Sequence, residues 1–99
     1  MVKFSAGLNE RSEGMLIANA RVLRGGKILP GADVLVEGGR IAAIGKDLKG
    51  PKKIDARGAL LAPGFVDLHI HGCRGDDTMD GGDAVRRMAE WLPGTGVTG

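Results

Sequence analysis

Apolar residues in this 99-residue chain come in short runs broken by glycine. From Met15 the runs have strand length. Residues 15–23 lead into the turn Arg24-Gly25-Gly26-Lys27. Residues 32–37 and 40–44 flank Gly38-Gly39. Two glycines between two apolar runs predict a hairpin, because both central residues of such a turn take positive φ. Val34 and Val36 would then share one face, and Ile41 and Ala43 another. Residues 53–55 and 59–61 predict two more short strands around Ala56-Arg57-Gly58. Residues 15–62 therefore read as a small antiparallel β domain, closed by Pro63-Gly64. Residues 1–14 are polar and read as a flexible N-terminal tail.

The pattern changes after Pro63. Residues 65–71 read as a strand of the buried kind, mostly apolar on both faces as strands of a parallel sheet are. A loop rich in glycine and aspartate, residues 72–82, follows. Residues 83–92 predict a helix, with Val85, Met88, Ala89 and Leu92 on one face, Asp83 as N-cap and Pro93-Gly94 as terminator. Residues 95–99 open a further strand. Strand, loop, helix and strand make the first unit of an α/β structure over residues 63–99. One such unit cannot cover both faces of its strand, so the chain reads as the front of something larger.

Composition narrows the function classes. Eighteen glycines and three aromatic residues suggest many tight turns and a modest core. The net charge is only +2. Lys46, Lys49, Lys52 and Lys53 are interrupted by Gly50 and Pro51 and have no aromatic neighbours on which bases could stack. That argues against a nucleic-acid partner. The single cysteine, Cys73, allows no internal disulfide. No apolar stretch approaches the roughly 18 residues of a membrane helix, and the first fourteen lack a signal-peptide core. A soluble cytoplasmic protein without a membrane partner is expected.

The candidate chemistry lies in FVDLHIHG, residues 65–72, which hold the only two histidines. Alternation along a strand puts Phe65, Asp67, His69 and His71 on one face and Val66, Leu68 and Ile70 on the other. Two imidazoles on one strand can chelate a divalent ion, although two ligands are fewer than zinc needs. The competing reading is a pair of satisfied core or rim histidines. Asp67 either orients His69 or satisfies nearby backbone. Asp76, Asp77 and Asp80 lack the spacing of a calcium loop, and helix capping accounts for such residues equally well. The tripeptide Arg74-Gly75-Asp76 is too short to carry an adhesion signal. Cys73 is read as an inert small residue.

A small β unit followed by IDARGALLAPGFVDLHIHG resembles the start of amidohydrolase-superfamily enzymes. The run HIHGCRGDDTMD, residues 69–80, is similar to the corresponding pattern of N-acetylglucosamine-6-phosphate deacetylases. The matches are His69, His71, Gly72, Gly75, Asp77, Thr78, Met79 and Asp80. Thr95-Gly96-Val97-Thr98 resembles the GxT that begins their second barrel strand. This resemblance implies an antiparallel β domain leading into a (β/α)8 barrel, of which this chain holds the first βα unit. It implies hydrolysis of N-acetylglucosamine 6-phosphate to glucosamine 6-phosphate and acetate. It further implies a divalent ion, zinc first and iron, manganese or cobalt as alternatives, held in part by His69 and His71. Further metal ligands, the general base and the phosphate-binding groups would come from later strands, so catalytic and substrate-binding residues stay unassigned. A sugar-phosphate substrate and a homo-oligomer of the full-length enzyme complete the expectation, and the isolated chain should be inactive. Two alternatives stand beside it. One is an amidohydrolase of dihydroorotase or hydantoinase type, which the run Asp77 to Asp80 disfavours. The other is a non-catalytic β binding module, should 99 residues be the true length.

Overall fold

The computed structural model describes residues 14–99. The tail expected over residues 1–14 lies outside them apart from Gly14. The chain divides into two compact units, Met1–Pro63 and Gly64–Gly99.

The first unit is a five-stranded sheet: β1 (Met15–Arg24), β2 (Lys27–Glu37), β3 (Arg40–Gly45), β4 (Lys53–Asp55) and β5 (Leu60–Leu61). The predicted hairpin forms, with Val36 opposite Ile41 and Glu37 opposite Arg40. Gly38 and Gly39 take φ of 57° and 74°, as a two-residue turn between right-twisted strands requires. Gly25 and Gly26 repeat those angles between β1 and β2. β2 starts five residues earlier than its apolar run, because pairing with β1 continues past Pro30.

The sheet is mixed, which corrects the antiparallel expectation. β4 and β5 both run parallel to β1, with Ile17 opposite Ile54 and Val22 opposite Leu61. The connection after β3 is the cause. Residues 46–52 cross back over the sheet before β4 begins, and the Leu16 N–H donates to the Pro51 carbonyl (3.1 Å). A Cβ on Gly50 would stand 2.6 Å from Leu35 Cδ1 and 3.3 Å from Leu16 Cβ, so a side chain there would have to displace the end of Leu35. A connection that crosses returns the chain in the same direction as β1. Between β4 and β5 the chain kinks without reversing. The Ala56 and Gly58 N–H groups donate to the Ala18 and Asn19 carbonyls, both at 2.7 Å. This kink fits a bulge in β1, where Asn19 takes φ 56°.

The core holds Ile17, Ala20, Val22, Val34, Val36, Ala56 and Leu61, with Ile17 only 1% exposed. One carboxylate joins it. Asp33 accepts the Asn19 N–H at Oδ1 and the Leu48 N–H at Oδ2, both at 3.1 Å. It thus ties the β1 bulge to the returning connection, and its burial is compensated by two backbone donors.

The second unit is lighter in regular structure. It holds a minimal hairpin, β6 (Gly72–Cys73) with β7 (Asp76–Asp77), and one helix, α1 (Gly82–Trp91). Short 3-10 turns at Thr78–Asp80 and Leu92–Thr95 flank α1. Residues 65–71 do not form the buried strand expected. One parallel bridge joins Phe65 to Val97, and the Asp67 N–H reaches the Gly99 carbonyl (2.8 Å). Val66 and Leu68 are 68% and 92% exposed. A parallel strand is buried by neighbours on both edges and both faces, and within this unit residues 65–67 pair with residues 96–99 on one side while the His71 backbone meets only the Thr78 N–H.

The helix also shifts. Gly81 caps it without a side-chain bond, and Asp83 lies in the first turn, where its charge suits the helix N-terminus. Ala84 and Met88 are buried, whereas Val85 and Ala89 of the expected face are exposed. The helix packs on β7 and the two 3-10 turns, and that narrow support selects a two-residue stripe. The α-helix ends before Pro93, as expected, and Gly96 (φ 98°) closes the 3-10 turn that follows. Among the described residues no helix is long and apolar enough to cross a membrane.

Candidate functional site

His69 and His71 meet. Their Nε2 atoms are 2.8 Å apart, their ring centroids 4.6 Å, and their planes cross at 70°. Both residues are exposed. The two-residue spacing therefore brings the rings to one side, although ladder bonding stops at Asp67. With metal–nitrogen distances of about 2.0–2.1 Å, two ligands subtending 90° at one ion stand about 2.9 Å apart, and a tetrahedral pair about 3.3 Å. The observed 2.8 Å is close to the 90° value and shorter than the tetrahedral one, and it equally fits a hydrogen bond between a protonated and an unprotonated nitrogen. Among the described residues no group of three or more histidine, cysteine, aspartate or glutamate side chains could hold a metal. The pair supplies two donors.

Asp67 does not orient an imidazole. Its Oδ1 accepts the backbone N–H of His69 (3.0 Å), which leaves it shaping the main chain between the bridge at Phe65 and the histidines.

The segment after the histidines, expected as a loop, is built in detail. Arg74 and Gly75 take φ of 53° and 83° and turn the chain between β6 and β7. A Cβ on Gly72 would strike the Asp76 carbonyl oxygen, so the residue following the second histidine has no room for a side chain. The Thr78 N–H donates to the His71 carbonyl (2.8 Å). Asp77 Oδ1 accepts from the Met79 N–H (2.8 Å) and Asp80 Oδ2 from the Asp77 N–H (3.1 Å), a reciprocal cap on the 3-10 turn.

Asp76 forms a two-point ion pair with Arg87 of α1. Nη2 lies 2.6 Å from Oδ1, and Nε 3.1 Å from Oδ2. The Arg87 guanidinium holds the Asp76 carboxyl below the usual carboxylate range, and Asp76 in turn raises Arg87. Arg74 lies over the Trp91 ring at 5.4 Å. Both charged residues of Arg74-Gly75-Asp76 are thus engaged within the unit. The sequence alone singled out neither Arg87 nor Trp91, and it gave Gly72 and Asp76 none of these structural roles. Arg74-Gly75 as a two-residue turn was the available signal, but two-residue strands are too short to show alternation.

No family model matches the chain. It is 50% identical over 56 residues to the dihydroorotase of Lactobacillus gasseri, covering 57% of this chain and 13% of the relative. It is 62% identical over 42 residues to the adenine deaminase of Deinococcus radiodurans, covering 40% and 8%. The L-hydantoinase (dihydropyrimidinase) from Arthrobacter aurescens shares the fold of 60% of this chain and 14% of its own, at 35% identity and a TM-score of 0.52. A dihydroorotase crystal structure does so over 65% and 18%, at 32% identity and a TM-score of 0.52.

These similar proteins are amidohydrolases. The chain is similar to their N-terminal portions, and it spans 13% of the length of the first curated relatives it matches. The superfamily resemblance is thereby supported. The narrower likeness to N-acetylglucosamine-6-phosphate deacetylases is not, since dihydroorotases, a deaminase and a hydantoinase stand in their place.

Proposed function

We propose that this chain is the N-terminal part of a metal-dependent amidohydrolase that opens a cyclic amide, of dihydroorotase or hydantoinase type. The observation that carries the metal chemistry is the 2.8 Å approach of His69 Nε2 to His71 Nε2. The choice of substrate class rests on the dihydroorotase and hydantoinase relatives. In this reading His69 and His71 are two of the ligands of a divalent ion, zinc first, with iron, manganese or cobalt as alternatives. Held there, such an ion would supply Lewis acidity, lowering the pKa of a water and polarising an amide carbonyl. The chain's own contribution is to present two nitrogens from one short segment. Asp67 fixes the backbone on one side of that segment and Thr78 on the other. The whole enzyme would work on a small molecule in the cytoplasm, as a homo-oligomer.

A second reading, deacetylation of N-acetylglucosamine 6-phosphate, keeps the support of the run HIHGCRGDDTMD. That run has a local structural account, however. Asp77 and Asp80 cap a turn, and the Thr78 amide holds the His71 carbonyl. Such duties do not discriminate between substrates.

Two measurements test the proposal. Calorimetric titration of the full-length protein that contains this segment with zinc should show binding that is lost in His69→Ala and in His71→Ala. Zinc affinity unaltered by both substitutions would end the metal reading. The same full-length protein should then be assayed. Ring opening of dihydroorotate or hydantoin supports the cyclic-amide class, and release of acetate from N-acetylglucosamine 6-phosphate supports the second reading instead.

A further inference from the structure

His71 is immediately followed by the smallest hairpin a chain can form. Two residues per strand bury almost nothing, and isolated hairpins far longer than β6–β7 are marginal in water. Its turn also places Arg74, a residue with a Cβ, in the left-handed region. Something outside the hairpin must hold it. The structure provides two ties to α1: the two-point pair of Asp76 with Arg87, and the stacking of Arg74 on Trp91. The hairpin in turn leads directly to Thr78, whose N–H binds the His71 carbonyl.

We propose that the Asp76–Arg87 ion pair is a positioning latch for the histidine pair. By fixing β7 to α1, it keeps the Thr78 amide on the His71 carbonyl and so holds the imidazoles at chelating separation. This inference rests on the metal reading of His69 and His71. Neither latch residue touches the imidazoles, so the action passes through the backbone of residues 71–78. An ordinary exposed ion pair would have no such reach, because screening and side-chain entropy cancel most of its effect. This one differs in geometry. The planar guanidinium meets both carboxylate oxygens, which fixes orientation as well as distance. Asp76 is also the less exposed partner, at 22% of its side chain against 52% for Arg87. A second ion pair on the same helix provides the contrast: Arg86 and Glu90 meet at 2.8 Å within α1 and tie nothing to the hairpin.

The experiment uses the full-length protein that contains this segment, cobalt(II) as the probe, and four variants: Arg87→Gln, Arg87→Lys, Asp76→Asn and Arg86→Gln. Cobalt affinity should fall roughly tenfold in Arg87→Gln and Asp76→Asn, the low end of what residues behind metal ligands contribute. The Asp76→Asn, Arg87→Gln double variant should be no weaker than either single one. Arg87→Lys should recover part of the loss, because it keeps the charge without the fork. Arg86→Gln should bind as the wild type does. In the metal-free chain, exchange of the Thr78 amide should speed up in Arg87→Gln, while amides of β1 and β2 keep their protection. Wild-type cobalt affinity in Arg87→Gln would overturn the latch, as would a loss of equal size in Arg86→Gln. A full-length wild-type protein that binds no cobalt would overturn the metal reading itself and the latch with it. The affinity of the unsubstituted chain therefore tells the two failures apart.

Discussion

Replacing Asp33 by asparagine should loosen the first unit in two places at once. Asp33 lies in β2, 8% exposed, and its two oxygens serve different clients. Oδ1 accepts the N–H of Asn19, at the bulge of β1, and Oδ2 the N–H of Leu48, on the connection that crosses back over the sheet. Asparagine has the same shape but one acceptor oxygen. Whichever way its amide turns, one of these N–H groups faces an NH2 and loses its partner. A hydrogen bond to a charged acceptor contributes about 1.5–3 kcal/mol, and an abandoned partly buried donor costs a similar amount. The expected loss is therefore about 2 kcal/mol, or about 8–16 °C in Tm for a domain of this size. Asp33→Ala abandons both donors and should cost about 2–5 kcal/mol. Urea unfolding followed by far-UV circular dichroism gives the free energy, and amide exchange at Asn19 and Leu48 locates the damage. A loss under about 0.5 kcal/mol, with both amides as protected as before, would refute the assignment of Asp33 as the clasp of this sheet.

Cutting Ile17, the largest fully buried side chain among the described residues, to alanine should cost about 2–5 kcal/mol, read from the same urea titration. Gly72→Ala should disrupt the hairpin, since its Cβ meets the Asp76 carbonyl oxygen; faster exchange at Thr78 is the sign to look for. Acid should weaken the fold in a defined window. The carboxyl of Asp55 is lowered first by the Arg57 backbone N–H and then by the Asn19 side chain, and that of Asp76 by the Arg87 guanidinium. A carboxyl lower in the folded state stabilises it above the unfolded value of about 3.9 and loses that effect as pH falls through the folded value. The urea midpoint should drop below about pH 4, and Asp55→Asn should flatten that limb; an acid limb identical to wild type would refute the role of Asp55.

What could be read from the chain was local. The hairpin of β2 and β3 follows from alternation and a glycine pair, both contained within a dozen residues. His69 and His71, expected on one side from their two-residue spacing, do meet, although residues 65–71 form no regular strand. The parallel course of β4 and β5 could not be read, because the path of residues 46–52 sets strand direction and their own composition does not. The helix face could not be read either: periodicity offered Val85, Met88, Ala89 and Leu92, and the neighbours of α1 chose Ala84 and Met88.

By itself, then, the sequence determined where the chain turns and which two imidazoles stand together. Turn geometry and side-chain alternation are properties of adjacent residues, so they need no knowledge of the rest. Only the tertiary structure decided that the first sheet is mixed and that Asp33 can be buried. It alone gave Asp67 to the backbone and joined Asp76 to Arg87 across eleven positions. Burial, strand direction and ion pairing depend on which distant segments share a space, and that is settled by packing rather than by local order along the chain.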